Sequence, residues 1–174
     1  RCSQANQSDS TIQVRKNELM KEIQVKDQEG SYKLAQTLAQ YVKPGMVFLL
    51  EGDLGAGKTT FTKGLAQALH IDRMVKSPTY TIIREYEGGD LPLYHMDLYR
   101  LDLDMALDLG LEEYFDGPGL CVVEWPSQAM EAMPRNHLKI TIKDYFDQVG
   151  HRTFYLHAEG KAYQDLLDQV HLDE

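Results

Sequence analysis

Residues 52–59 constrain the fold more than any other part of the chain, because they match the phosphate-loop pattern G-x-x-x-x-G-K-[ST]. An apolar run of strand length, residues 46–50, precedes them, and Phe61 and Leu65 follow at helical spacing. A strand, a glycine-rich loop and a helix therefore occur in the order that a phosphate-binding loop requires. The pattern predicts that this chain binds a nucleoside triphosphate.

The chemistry of phosphate binding explains the residue types in this loop. Glycines let the backbone reach unusual φ angles and bring its N–H groups close to phosphate oxygens. The following helix directs free N–H groups at the anion, Lys58 reaches the β- and γ-phosphates as a binding and catalytic group, and the Thr59 hydroxyl is placed to bind Mg²⁺. The predicted nucleotide-binding residues of the loop are Gly52, Asp53, Gly55, Ala56, Gly57, Lys58, Thr59 and Thr60.

Length and composition describe one ordinary globular domain. The chain has 174 residues, of which 43% are hydrophobic and 26% charged, enough for a single core without a second catalytic module. A net charge of −9 disfavours a surface that holds nucleic acid by itself, because that affinity comes largely from Lys and Arg. No apolar stretch reaches the roughly 20 residues that cross a bilayer, and Cys2 and Cys121 are too few for a disulfide framework. We expect a cytoplasmic protein that is not bound to a membrane.

The first residues differ in composition from the rest of the chain. Residues 1–17 are rich in Ser, Gln and Asn and lack the apolar stretch of a signal peptide. We therefore expect residues 1–19 to be a disordered lead, with Met20 as a candidate natural start. Residues 20–174 are expected to form a single domain.

Hydrophobic periodicity and turn residues predict the elements of that domain. Strands are expected at residues 22–25, 46–50, 80–86, 93–98, 120–124, 138–142 and 152–157. Helices are expected from Ser31 until Pro44, after the phosphate loop, and at residues 104–114, 127–132 and 163–170. Strands 80–86 and 93–98 read as an antiparallel hairpin around Gly88 and Gly89. The pattern predicts a three-layer α/β phosphate-loop domain with a mixed, mainly parallel central sheet.

Two carboxylates end predicted strands, where ligands of such sheets bind. Glu124 ends the apolar strand 120–124 and is the candidate to hold Mg²⁺ from the side opposite Thr59, the alternative being an ordinary exposed glutamate. Asp97 ends the second hairpin strand, where a carboxylate could orient or deprotonate an attacking water. The alternative for Asp97 is a structural residue that caps a neighbouring backbone group.

Further residues near these strands have two or more interpretations. His95 lies on the same strand face as Asp97 and is either catalytic or, as is usual for a lone histidine, structural. Thr79, in the Ser-Pro-Thr after the phosphate-loop helix, is either a γ-phosphate sensor or an ordinary loop residue. Trp125 either packs near the nucleotide, forms an interaction surface or belongs to the core. Arg84 and Arg100 suit charge-neutralising fingers, but surface ion pairs are the more common fate of a lone arginine.

Four short motifs occur in one order: GDLGAGKTT at 52–60, SPTY at 77–80, YHMDLYRL at 94–101 and VVEWP at 122–126. Together they closely resemble the TsaE family, formerly called YjeE, and the resemblance spans about residues 20–157. It implies a bacterial Mg²⁺-dependent ATPase needed for the threonylcarbamoyladenosine modification of tRNA. Such a protein binds the TsaD and TsaB partners and reaches tRNA only through their complex.

The same resemblance implies roles for single residues. It assigns Thr59 and Glu124 to Mg²⁺, Asp97 to ATP hydrolysis and Trp125 to function. Ser31 matches a helix-start Ser or Thr that contacts the nucleotide in relatives. Residues 1–19 have no counterpart in the family pattern, which indicates an artefact of cloning or of the assigned gene start.

Three other classes share the phosphate loop. A small nucleoside or metabolite kinase usually carries an arginine-rich lid, and residues 101–160 contain no arginine cluster. A GTPase would carry an N-K-x-D base-reading motif, which residues 142–144 do not supply. A regulator without turnover would lack the acids, so Asp97 and Glu124 argue against it. The kinase is the main alternative.

Overall fold

The computed structural model describes residues 20–145 and 150–171. The strands are β1 (Met20–Val25), β2 (Val47–Glu51), β3 (Ile83–Tyr86), β4 (Leu93–Asp97), β5 (Leu120–Glu124), β6 (His137–Asp144) and β7 (Arg152–Glu159). The helices are α1 (Gln28–Ala39), α2 (Lys58–Ala68), α3 (Leu103–Asp108), α4 (Leu111–Phe115) and α5 (Lys161–Gln169), with a 3₁₀ helix at Pro126–Ala132. The predicted lead, residues 1–19, lies outside the described residues, so the domain limits stay a prediction.

The seven strands form one sheet in the order β1-β7-β6-β2-β5-β4-β3. The four central strands β6, β2, β5 and β4 run parallel to one another, while β3 pairs antiparallel with β4 and β7 pairs antiparallel with both β6 and β1. The predicted mixed, mainly parallel sheet and its hairpin are confirmed. The parallel order brings the carboxyl ends of β2, β5 and β4 side by side, where a ligand of an α/β sheet binds.

Strand β2 shows how the sheet separates two hydrophobic cores. Phe48 and Leu50 face the larger core, which α1, α2 and α5 cover. Val47 and Leu49 face the smaller core, under α3, α4 and the 3₁₀ helix. Successive side chains of a strand point to opposite faces of the sheet. A strand that is covered on both faces therefore has the continuous apolar sequence seen here. The domain therefore has the predicted three layers.

Two predicted helices differ from those in the structure. Helix α1 begins at Gln28 rather than Ser31, because Asp27 caps it by accepting a hydrogen bond from the Gly30 N–H at 2.8 Å. The same helix ends at Ala39, before the proline. The helix expected at 104–114 is two short helices, separated at Gly110, whose φ of +68° is left-handed.

The first hairpin strand is also shorter than predicted. Residues 80–82 precede β3 as a turn, in which the Ile82 N–H donates to the Pro78 carbonyl oxygen at 2.7 Å. Ile82 has a φ of +68°, an unusual conformation for a β-branched residue. Within residues 20–145 and 150–171, no helix combines the length and apolarity needed to cross a membrane.

Candidate nucleotide-binding site

The phosphate loop connects the end of β2 to the start of α2, as predicted. Gly55 and Gly57 have φ angles of +80° and +104°, in the left-handed region that other residues enter only with strain. At Gly52 an added Cβ atom would lie 2.8 Å from the Ile142 carbonyl oxygen, so the loop packs closely on β6. At Gly55 an added Cβ atom would meet nothing within 4 Å. The loop is therefore packed closely against β6 at Gly52, and it is open to solvent space at Gly55.

Lys58 is the first residue of α2, and its side chain is buried in the loop. Its Nζ donates hydrogen bonds to the Gly52 and Asp53 carbonyl oxygens and lies 4.1 Å from the centre of a Trp125 ring. Burial lowers the pKa of Lys58, and nearby carboxylates, with Glu124 the strongest, oppose this shift. Since an ammonium group bonds an anion more strongly than a neutral carbonyl, a phosphate group would compete effectively for Lys58.

The ends of β4 and β5 bring two acids next to the loop. In the parallel register Asp97 pairs with Glu124, and Glu124 pairs on its other side with Leu50 of β2. Both acidic residues are buried, with 4% of their surface exposed. The Glu124 Oε2 atom lies 2.5 Å from Nε2 of His95, which is fully buried.

Asp97 connects the sheet to the segment that follows α2. The Thr79 hydroxyl donates to Asp97 Oδ2 at 3.1 Å, and the Tyr99 backbone N–H donates to Oδ1 at 2.9 Å. The Ser77 hydroxyl oxygen lies 2.7 Å from that of Thr79. Asp97 thus caps a backbone group, as its structural interpretation requires, and also faces the cavity beside Thr79. Its role in hydrolysis stays a prediction.

Trp125 forms a side wall of the site rather than part of either core. Its φ of +56° is left-handed, and its backbone N–H donates to the Leu50 carbonyl oxygen at 3.2 Å. The indole packs against the Tyr99 ring, with 4.9 Å between ring centres, and against the Lys58 ammonium. Of its three interpretations, packing beside the predicted phosphate position describes this geometry best.

A cavity of about 300 Å³ lies between the loop and these strand ends. From the loop and α2 it is lined by Leu54, Gly55, Gly57, Lys58, Thr59 and Thr60. From the opposite wall it is lined by Ser77, Thr79, Asp97, Glu124 and Trp125. Most of the predicted site residues, from four separate segments, therefore meet around one cavity.

The remaining predicted residues are not among those that line the cavity. Gly52 and Asp53 contribute carbonyl oxygens to Lys58, and Ala56 is a buried residue of the loop. Ser31 is a buried residue of α1. Its helix-start position was wrong, and its contact with a nucleotide stays a prediction.

The two arginines considered as fingers lie elsewhere in the described structure. Arg84 lines a separate groove beside the edge strand β3. The Arg100 guanidinium lies 4.3 Å from the centre of the exposed Tyr80 ring. Neither is among the residues that line the cavity in the described part of the chain.

One residue that contacts the loop was missed by the sequence analysis. Arg152, at the start of β7, donates from Nε to the Ala56 carbonyl oxygen at 2.8 Å. Its Nη1 donates to the Asp144 carboxylate at 2.7 Å. The antiparallel register opposes Arg152 to Asp144, which explains the ion pair, but no local pattern indicates contact with a loop 96 residues away.

A glycine loop between a central parallel strand and a helix, with acids on neighbouring strand ends, defines the phosphate-loop class of α/β domains. Within that class, a family profile described as "Threonylcarbamoyl adenosine biosynthesis protein TsaE" matches residues 25–154. The chain belongs to the TsaE family of tRNA threonylcarbamoyladenosine biosynthesis proteins.

Individual relatives cover most of the chain. A Bacillus subtilis protein named tRNA threonylcarbamoyladenosine biosynthesis protein TsaE is 51% identical over 142 residues, covering 82% of this chain and 88% of that protein. A protein of the same name from Nostoc sp. is 42% identical over 127 residues, covering 71% and 78%. The crystal structure of B. subtilis YdiB superposes with a TM-score of 0.76 at 44% identity and covers 86% of this chain and 93% of that one.

Proposed function

We propose that this chain is a Mg²⁺-dependent ATPase that supports the threonylcarbamoyladenosine modification of tRNA together with TsaD and TsaB. One observation carries the enzymatic part of the proposal: a phosphate loop and two buried carboxylates line the same cavity. Family membership supports the pathway. TsaD and TsaB are proposed as partners because of the family resemblance.

The donor set suits a nucleotide with a bound magnesium ion. Among the described residues, no group of three or more His, Cys, Asp or Glu side chains suits a metal ion by itself. Mg²⁺ is normally held by one or two carboxylates together with substrate phosphates, so such a group is not required. Thr59 and Glu124 would supply protein oxygens from opposite walls, and the ion would neutralise charge on the phosphates.

The phosphate-loop wall and the opposite wall of the cavity would then have different roles. The loop N–H groups, the start of α2 and Lys58 would bind and orient the phosphates. Asp97 has one oxygen held by the Tyr99 N–H and the other beside the Thr79 hydroxyl, so its carboxylate is fixed in orientation at the cavity. A carboxylate in that place would orient water or accept its proton.

The charge of the protein agrees with an indirect role toward tRNA. With a net charge of −9, the chain does not supply the excess of cations that binds a nucleic-acid backbone. Contact with tRNA would then pass through TsaD and TsaB.

The test is to measure phosphate release from ATP by the chain alone, and again after adding its cognate TsaD and TsaB. Stimulation that requires Mg²⁺ and is abolished by Lys58→Ala supports the proposal. Transfer of the γ-phosphate to a nucleoside or another small acceptor would instead establish the kinase alternative. No ATP turnover in the complete complex contradicts the ATPase assignment.

A further inference from the structure

The buried pair of His95 and Glu124 lies at the back of the cavity. Strand β4 carries His95, and Glu124 is the last residue of β5. The His95 and Glu124 side chains are 0% and 5% exposed, and 2.5 Å separates Nε2 from Oε2. Glu124 is among the residues that line the cavity, and His95 is not. The histidine therefore contacts the carboxylate from the protein side.

The direction of this hydrogen bond follows from the two groups. A carboxylate that binds a metal ion only accepts hydrogen bonds, so in a metal-binding state of Glu124 the donor to Oε2 is Nε2 of His95. Hydrogen bonds to a charged acceptor are short and strong. The contact engages Oε2 and so fixes the orientation of a carboxylate group that lines the cavity.

The second ring nitrogen indicates that His95 is not present for stability. Its Nδ1 atom is buried without a hydrogen-bond partner in the described structure. An unpaired buried polar atom costs about 1–3 kcal/mol, which an apolar side chain of similar size would avoid. A buried polar atom without a partner calls for a functional explanation, and among the described residues the hydrogen-bond partner of this imidazole is Glu124.

Asp97 offers a contrast on the same strand. Its two oxygens are held by Thr79 and by the Tyr99 backbone, so its orientation does not depend on the histidine. The effect of His95 is therefore directed to the metal side of the site and not to the predicted water-orienting acid.

We propose that His95 is a positioning residue for the metal ion: it orients Glu124 so that this carboxylate binds the Mg²⁺ of the bound nucleotide. The inference rests on the proposed function. Removing the hydrogen-bond partner of a metal ligand typically weakens metal affinity about 10–100-fold. Metal-free nucleotide binding, which depends on the loop, should not change.

Two amides test the position of the donor. In His95→Gln the side-chain NH₂ lies near the place of Nε2, whereas in His95→Asn it lies near Nδ1 and cannot reach Glu124. Binding of a non-hydrolysable ATP analogue is measured by calorimetry over a Mg²⁺ series and in EDTA. We expect His95→Asn to raise the Mg²⁺ concentration for half-maximal binding about tenfold, and His95→Gln to stay within about threefold of wild type.

His137 supplies a matched control. It is also a buried histidine, bonded to the Pro134 carbonyl oxygen at the start of β6, at the opposite end of the parallel strands from the cavity. His137→Asn should leave the Mg²⁺ dependence unchanged. In a Glu124→Gln background, His95→Asn should have no further effect, because a positioning residue acts through its partner.

Three results would overturn the inference about His95. The first is wild-type Mg²⁺ dependence in His95→Asn, the second an equal loss of binding with and without Mg²⁺, and the third additive effects of the His95 and Glu124 substitutions. A wild-type chain that binds the nucleotide without any Mg²⁺ dependence would instead refute the proposed metal site itself. If His95→Asn does not fold, His95→Gln decides, since a large rise in its Mg²⁺ requirement contradicts the positioning role.

Discussion

The two walls of the cavity are built in different ways. The phosphate-loop wall is one contiguous segment, shaped by left-handed glycines and by the start of α2. The opposite wall joins Thr79, Asp97 and Glu124 from three segments, and hydrogen bonds between side chains hold their orientation. The first wall is made mainly of backbone and the second mainly of side chains. Apart from Thr59, which is proposed to bind Mg²⁺ from the first wall, we therefore expect substitutions in the first wall to affect nucleotide binding. Substitutions in the second wall should affect the metal ion or hydrolysis.

The largest effect is expected at Lys58. Lys58→Ala removes the cation that would reach the phosphates, and ATP affinity should fall roughly 100-fold, about 3 kcal/mol. Calorimetry measures this loss. Lys63→Ala, at an exposed position of the same helix, is the matched control and should bind as wild type. Wild-type affinity in a folded Lys58→Ala variant would refute the binding role of the first wall.

Asp97 tests whether binding and hydrolysis separate. Asp97→Asn keeps the size and can still accept from Thr79, but removes the charge that would orient or deprotonate water. Partner-stimulated hydrolysis should fall about 100-fold while ATP affinity changes less than about threefold. Phosphate release and calorimetry measure the two quantities. A wild-type rate in the complete complex would make Asp97 structural.

Glu124 should act through the metal ion. Glu124→Gln keeps the shape but weakens a cation ligand, so ATP binding in saturating Mg²⁺ should fall about tenfold while binding in EDTA stays unchanged. Parallel titrations give the comparison. An equal loss under both conditions would show that Glu124 is not a ligand.

The smallest effect is expected at Arg152, which forms a hydrogen bond to the phosphate-loop wall. Arg152→Met keeps an unbranched apolar stem but removes the guanidinium group, which leaves the Ala56 carbonyl and Asp144 without this donor. Thermal unfolding should show a loss of about 1 kcal/mol, and ATP affinity should fall about threefold as the loop becomes less ordered. Unchanged affinity would mean that the glycine loop keeps its shape without the hydrogen bond from Arg152 of β7.

Local patterns predicted the element types well and some boundaries poorly. The continuous apolar run of β2 and the helical spacing after the loop allowed few other structures. At α1, Asp27 and Ser31 are both plausible capping residues, and only the observed bond from Gly30 distinguishes them. At Gly110 the break between α3 and α4 depends on a left-handed φ that a glycine permits but does not require.

The sequence by itself determined the phosphate loop, because its eight consecutive residues carry the geometry in their own backbone preferences. It also identified Asp97 and Glu124 as strand-end acids, since apolar runs mark where those strands end. Only the tertiary structure decided that these two acids are neighbours, that His95 binds Glu124 and that Arg152 supports the loop. Those contacts depend on the order and register of the strands, which follow from packing over the whole sheet and not from any local segment.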